Sequence, residues 1–250
     1  MSRRFVLCAM AAAFSYIAPS AVLAEQQACE TLVAASYFAK PLAADTTADA
    51  DKLSQRQFST EFLQALAQTT QLTIKVLAAQ EEKALAEVRS GRADLIIGVS
   101  PLPEKDSELT YLLPAYTQKT YHLWVRTGEH ITLKKWPELS GLRGLRVVPP
   151  QHLIDFDRQV QLFKWPVRTA DSLAVAISKI VEGKADYVVA EQQAMQEYLL
   201  AHDLVRRFEV LEPAVETQFL YIAMAKDSAC NTPALRSILT KGLTQLAQQP

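Results

Sequence analysis

The stretch SGRADLIIG, residues 90–98, returns as EGKADYVVA, residues 182–190, at a constant offset of 92. Each copy places a glycine, a basic residue, Ala and Asp before four apolar or near-apolar residues. A glycine after a helical pattern suits the left-handed position that ends a helix. A short apolar run with almost no alternation suits a parallel strand covered on both faces. The same helix-to-strand junction used twice constrains the chain to two α/β units of similar plan.

The flanking segments agree. TLVAASYF (31–38) reads as a first strand, and FSTEFLQALAQ places Phe58, Phe62, Leu63 and Leu66 at helical spacing. LTIKVLAA (72–79) is a second strand, 82–90 a helix and DLIIGV (94–99) a third strand. The polar, Ala/Asp-rich segment 41–57 reads as an exposed loop or hairpin. The second half repeats the alternation: GLRVVP (144–149), a helix around 153–161, PVRTA (166–170), and a helix with Leu173, Ala176, Ile177 and Ile180 capped by Asp171 or Ser172. DYVVA (186–190), a helix over 192–202 and a strand FLYIAMA (219–225) follow. Asn231-Thr232-Pro233 opens a last helix with Leu235, Ile238, Leu239 and Leu246 on one face. Strands alternating with helices predict mostly parallel sheets flanked by helices. YHLWVRT (121–127) reads as the crossing from the first lobe to the second, and QFLYIAMAK (218–226) as the return.

The chain opens Met1-Ser2-Arg3-Arg4, runs apolar from Phe5 to Ala18 and reaches small residues before Glu25, the parts of a secretory signal peptide. Cleavage after Ala24 leaves 226 of the 250 residues and takes the basic count from 26 to 24 against 27 acidic residues, a net charge near −3. That balance gives no basic stripe for nucleic acid or an anionic membrane surface. The expected organisation is a signal peptide over 1–24, a first lobe over 25–123 plus 220–250, and a second lobe over 124–219. Cys8 lies inside the apolar run, without the small residues of a lipid-attachment site. Cys29 and Cys230 remain, and an even pair in an exported chain is a candidate disulfide. Two cysteines, with His122, His130, His152 and His202 scattered along the chain, offer no metal-ligand spacing, and seven glycines leave no phosphate-cradling loop. No metal and no cofactor is expected.

Ligands of open α/β sheets sit beyond the carboxyl ends of the strands. The residues after each junction, Ser100 and Glu191, are therefore candidate cleft residues, with Tyr37 and Phe38 as an aromatic wall after the first strand. Each has a structural alternative: Glu191 as a helix N-terminal residue favoured by the dipole, Tyr37 and Phe38 as core, Ser100 as part of a turn before Pro101.

The run ADLIIGVSPLPEKDSELTYLLPAY (93–116) resembles the signature of the family 3 extracellular solute-binding proteins, with Gly98, Ser100, Pro103, Glu104, Tyr111, Pro114 and Tyr116 in register. The resemblance continues through 139–148 and 182–199. It implies a two-lobed, type II Venus flytrap, a periplasmic monomer that hands a small polar solute to an ABC permease at the inner membrane. In amino acid binders of this type an arginine after Pro-Glu clamps the ligand carboxylate, and an acidic residue after the second-lobe strand holds its ammonium. Glu191 matches the acidic position, but the arginine position is Lys105, a point charge without the bidentate fork. Where a Gly-Thr/Ser usually follows the first strand of the second lobe, Pro149-Pro150-Gln151 stands, removing two backbone donors. The implied ligand set is Tyr37, Phe38, Ser100, Lys105, Gln151 and Glu191, for a solute that is amino-acid-like or cationic. Two other functions fit the same scaffold. One is a cyclohexadienyl-dehydratase-like enzyme using Glu191 or Glu104 as acid. The other is an accessory or sensory flytrap acting through a separate membrane partner.

Overall fold

The computed structural model describes residues 29–36, 50–78, 81–101, 108–131, 133–147 and 153–248. The expected signal segment lies outside them. The elements are β1 (Thr31–Ser36), α1 (Ala50–Thr70), β2 (Thr73–Ala78), α2 (Glu81–Arg89), β3 (Leu95–Val99), β4 (Leu109–Arg126), β5 (Gly144–Val147), α3 (Ile154–Phe163), β6 (Val167–Ala170), α4 (Leu173–Val181), β7 (Tyr187–Glu191), α5 (Gln192–Ala201), β8 (Phe208–Ala225) and α6 (Pro233–Ala247). The strands hydrogen-bond in the order β2-β1-β3-β8-β4-β7-β5-β6. Two parallel triplets, β2-β1-β3 and β6-β5-β7, flank an antiparallel central pair, β8 and β4.

Strands β1, β3 and β7 are covered on both faces, which is why they lack alternation, while the edge strands β2 and β6 stay largely exposed. Leu32, Ala34, Leu95 and Ile97 pack toward Leu63 and Leu66 of α1 and Leu235 and Leu239 of α6. Ala35 and Ile96 pack on the other face with Leu85 and Val88 of α2. In the second triplet Val189 packs with Leu123, Phe156 and Trp165, while Val188 packs with Trp124, Ile177, Ile180 and Met195. The two triplets thus have separate cores, and α1 also meets α5 across them.

The duplicated junction uses the same backbone pattern in its two copies. Gly91 (φ 71°) and Gly183 (φ 69°) take the left-handed position. Gly91 N–H donates to Val88 O and Arg92 N–H to Glu87 O; Gly183 N–H donates to Ile180 O and Lys184 N–H to Lys179 O. This is the Schellman pairing, which satisfies carbonyls the helix end leaves open. The aspartates then clasp the neighbouring strand. Asp94 N–H donates to Val33 O while Val33 N–H donates to Asp94 Oδ2 at 2.9 Å. Asp186 N–H donates to Arg143 O, and Arg143 N–H donates to Asp186 Oδ2 at 2.6 Å. The Arg143 guanidinium adds two further bonds to the same carboxylate.

The Arg143 guanidinium holds the Asp186 carboxyl below its ordinary value, against a smaller opposing push from burial. A carboxyl with a depressed folded pKa contributes stability that is present above its ordinary pKa and lost as pH falls through the depressed one. Asp186→Asn is therefore expected to lower Tm at neutral pH. The gap to the parent should close as the pH falls below about 4, near the ordinary aspartate pKa. A constant gap across the acid limb would show that the charge on Asp186 is not what the fold uses.

The two central strands are linked by a second internal symmetry. The registers Thr117↔Leu220 through Tyr121↔Glu216 form an uninterrupted ladder. At one end Leu112 pairs with Ile222, so Leu113–Tyr116 of β4 bulge against one residue of β8. At the other end Leu123 pairs with Leu211, so Glu212–Val215 of β8 bulge against one residue of β4. Both bulges contain Pro-Ala, at 114–115 and 213–214, and each lies where its strand enters the crossing.

Three expectations are corrected or extended. The segment expected as loop over 41–57 is helical from Ala50: α1 begins eight residues before Phe58. Residues 50–57 are mostly good helix formers but carry no apolar stripe, so spacing alone missed them. The remainder of that segment lies outside the described residues. β4 and β8 are each 18 residues long, where shorter crossing segments were expected, because Pro114 and Pro213 read as strand ends and are accommodated in the bulges. On α6, Ile238 is 44% exposed, and Gly242 and Leu243 complete the buried face with Leu235 and Leu239. The expected Cys29–Cys230 bridge is formed, with Cα atoms 5.5 Å apart. No helix among the described residues is long and apolar enough to cross a membrane.

Candidate functional site

The inner strand of each triplet, β3 or β7, runs its carboxyl end against the crossing strands. β3 ends at Val99, opposite Tyr221 of β8, and β7 ends at Glu191, opposite Tyr121 of β4. The rim between them is where a crevice forms in an α/β sheet of this kind.

On the first side of the rim, Ser100 follows β3 and is half-buried. Ser36, the last residue of β1, is fully buried, and its hydroxyl has no partner among the described residues. Tyr116, in the β4 bulge, meets Phe58 and Phe62 of α1 at ring-centroid distances of 6.1 and 5.1 Å. Burial pushes the Tyr116 phenol up to about 12, with a hydrogen bond to Ser59 pulling the other way, so it is neutral at any working pH. Phe58 remains 46% exposed and gives this side an aromatic surface.

On the second side, two carboxylates flank Tyr121 in one row across the sheet: Glu191 on β7 and Glu216 on β8. Glu191 is the N-cap of α5, accepting from Gln193 N–H and Ala194 N–H, each at 2.9 Å. Its structural alternative is therefore realised, and both oxygens are engaged. Glu216 reaches the first turn of α3, accepting from Ile154 N–H at 2.9 Å, Asp155 N–H at 3.1 Å and Phe156 N–H at 3.5 Å. Gln218 Nε2 donates to the same carboxylate at 3.4 Å. Burial raises the Glu216 pKa more than these bonds lower it. The α4 N-terminus is closed by Ser172, whose hydroxyl accepts from Val175 N–H.

Of the residues named from the sequence, Ser100 and Glu191 lie on this rim, while Tyr37, Phe38, Lys105 and Gln151 lie outside the described residues. Glu216, Tyr121, Tyr116 and Ser36 were not named as site residues. The signal for Glu216 was indirect: α3 follows Leu153, a residue that cannot cap, so its open N–H groups needed a partner from elsewhere in the chain. Among the described residues no group of three or more His, Cys, Asp or Glu is placed to hold a metal ion.

No family model and no curated protein matches the sequence. Solved structures do match in fold. The second substrate binding domain of a putative amino acid ABC transporter from Streptococcus pneumoniae aligns over 86% of this chain and 93% of its own, at 16% identity and TM-score 0.60. Substrate binding domain 2 of GlnP from Lactococcus lactis, in an open conformation, aligns over 87% and 90%, at 17% identity and TM-score 0.58. A histidine kinase sensor domain with similarity to periplasmic binding proteins aligns over 87% and 90%, at 16% identity and TM-score 0.61. At these identities the likeness is one of fold. The chain has the Venus flytrap architecture of periplasmic binding domains.

Proposed function

We propose that this chain is an exported solute-binding protein that captures a small polar solute between two lobes for an ABC importer. One lobe spans 25–123 plus 220–250 and the other 124–219. The observation that carries the reading is the meeting of both sets of strand ends, at Val99 and Glu191, on one pair of crossing strands. Separate cores on either side give two units able to close on what lies between them. The solved binding domains of the same fold support a solute as the occupant, and a membrane permease as the receiver. Export is supported by the basic-apolar-small opening of the chain and by the bridged cysteines.

The proposed contacts are Tyr37 and Phe38 as aromatic wall, Ser100, Lys105 and Gln151 as polar contacts, and Glu191 as the negative charge of the second lobe. Glu191 has a double task, capping α5 and facing the solute, and the two are separable. Glu191→Ser keeps a capping oxygen and removes the charge. In a thermal-shift screen of amino acids, amines and organic acids, the parent protein is expected to gain Tm with its solute. Glu191→Ser should lose that gain while its ligand-free Tm stays close to the parent. An undiminished gain would take Glu191 out of the site. Mass spectrometry of the denatured, freshly purified protein supplies a second test through any co-purified solute.

A second reading is favoured by one observation: the same fold serves as a histidine kinase sensor domain. In that case the closed state is read by a membrane partner and nothing is imported. Loss of solute uptake on deletion supports import; loss of a transcriptional response with uptake intact supports sensing. An enzyme of the cyclohexadienyl dehydratase type needs an available acid; Glu191 is committed to two backbone N–H groups, and Glu104 lies outside the described residues. Turnover of prephenate or arogenate by the purified protein would reverse that order.

A further inference from the structure

The N-terminus of α3 is the natural anion site of the second half. Its first three N–H groups have no partner within the helix, and Leu153 gives them no side-chain cap. A solute carboxylate placed there would gain the helix dipole and two or three charge-assisted hydrogen bonds at once. The chain fills this place itself. Glu216 does so from the crossing strand, not from the helix or its leading loop, and it engages all three N–H groups. The residue related to it by the symmetry of the crossing is Thr117, the first ladder residue after the β4 bulge, so a carboxylate stands only on the second side.

The surroundings make the substitution consistent. Glu216 is half-buried beside Tyr121, with Glu191 on the far side of the same tyrosine. Asp155 and Asp157 in the first turn of α3 are paired with Arg158 and Arg146. A second carboxylate brought into this row by a ligand would displace Glu216 or sit between like charges, and either is unfavourable.

We propose that Glu216 is a specificity-determining residue. Its carboxylate holds the α3 N-terminus in place of a ligand carboxylate, so the second lobe accepts the ammonium or guanidinium of an organic cation that carries no carboxylate. This rests on the solute-binding reading above and sharpens its ligand class.

Matched pairs that differ only by a carboxylate test it: agmatine against L-arginine, and putrescine against L-ornithine. Thermal shift and calorimetry on the full exported protein are expected to show binding of an amine and a preference over its amino acid of about tenfold or more. Glu216→Ala and the conservative Glu216→Gln should both erode that preference, by admitting the amino acid as well as by weakening the amine. Circular dichroism establishes that each variant is folded, and if neither folds the preference of the parent protein still decides. An amino acid bound as tightly as its amine overturns the proposal and leaves the solute-binding reading intact. So does a preference unchanged in both folded variants. Absence of binding by all four probes at millimolar concentration overturns the proposal, and the wider screen of amino acids, amines and organic acids then decides the solute-binding reading.

Discussion

Replacing Cys29 and Cys230 by serine is expected to lower Tm by about 5–15 °C, the equivalent of roughly 2–5 kcal/mol for losing a native bridge in a domain of this size. The bond spans 201 residues of sequence, so it restricts nearly the whole unfolded chain. In the chain-entropy account a loop of that length approaches the upper end of what a single bridge supplies. Its local setting adds to the effect. Cys230 is buried, Cys29 packs against the same core, and both touch the cluster that joins β1 to α6. The bridge therefore pins the first strand to the element that closes its own half. Differential scanning calorimetry of the double serine variant, and of the parent protein with reductant, should agree. A Tm that does not move in either would mean that the α1–α6 packing alone secures the first half.

Gly144→Ala should be the most damaging one-methyl change in the second half, costing about 1–3 kcal/mol. A Cβ at this position would lie 2.5 Å from the Tyr187 ring and hydroxyl, closer than atoms can approach. The backbone there is ordinary, so glycine serves close approach and not an unusual turn. Tyr187 cannot move aside, because it is fully buried in the cluster with Phe156 and Trp165. Its hydroxyl has no partner among the described residues, so Tyr187→Phe should be neutral or mildly stabilising. Combining Gly144→Ala with Tyr187→Leu should recover part of the loss, because the smaller side chain vacates the contested volume. Simple additivity of the two changes would refute this account of the glycine.

These two positions mark what was legible in the sequence. The junction at 90–98 and 182–190 carried its own explanation: helix, left-handed glycine and buried strand are all local in sequence, and the structure realises each of them twice, whereas the aspartate clasps reach partners 61 and 43 residues away. Ser172 as the cap of α4 and Thr232-Pro233 at the start of α6 were legible for the same reason. The close approach of Gly144 to Tyr187 joins residues 43 positions apart and leaves no local trace. Glu216 is the sharper case. Its partners at 154–156 lie about 60 residues away, and the only hint is a missing cap at Leu153. The crossing strands were under-read because Pro114 and Pro213 look like ends, and only the opposite strand shows that they are bulges.

The two bulges have a mechanical consequence. Between them the ladder from Thr117↔Leu220 to Tyr121↔Glu216 is continuous, so it transmits force as a stiff link. At each end one strand has four residues against one, and slack is available there. A bending movement of one half against the other would thus run through two joints in series, each strand supplying the slack of one. Glu216 sits at the second joint and is tied to α3, so the link is bolted to the second half while the first half carries the opposite joint. Cutting that bolt should loosen the swing before it changes anything in either core.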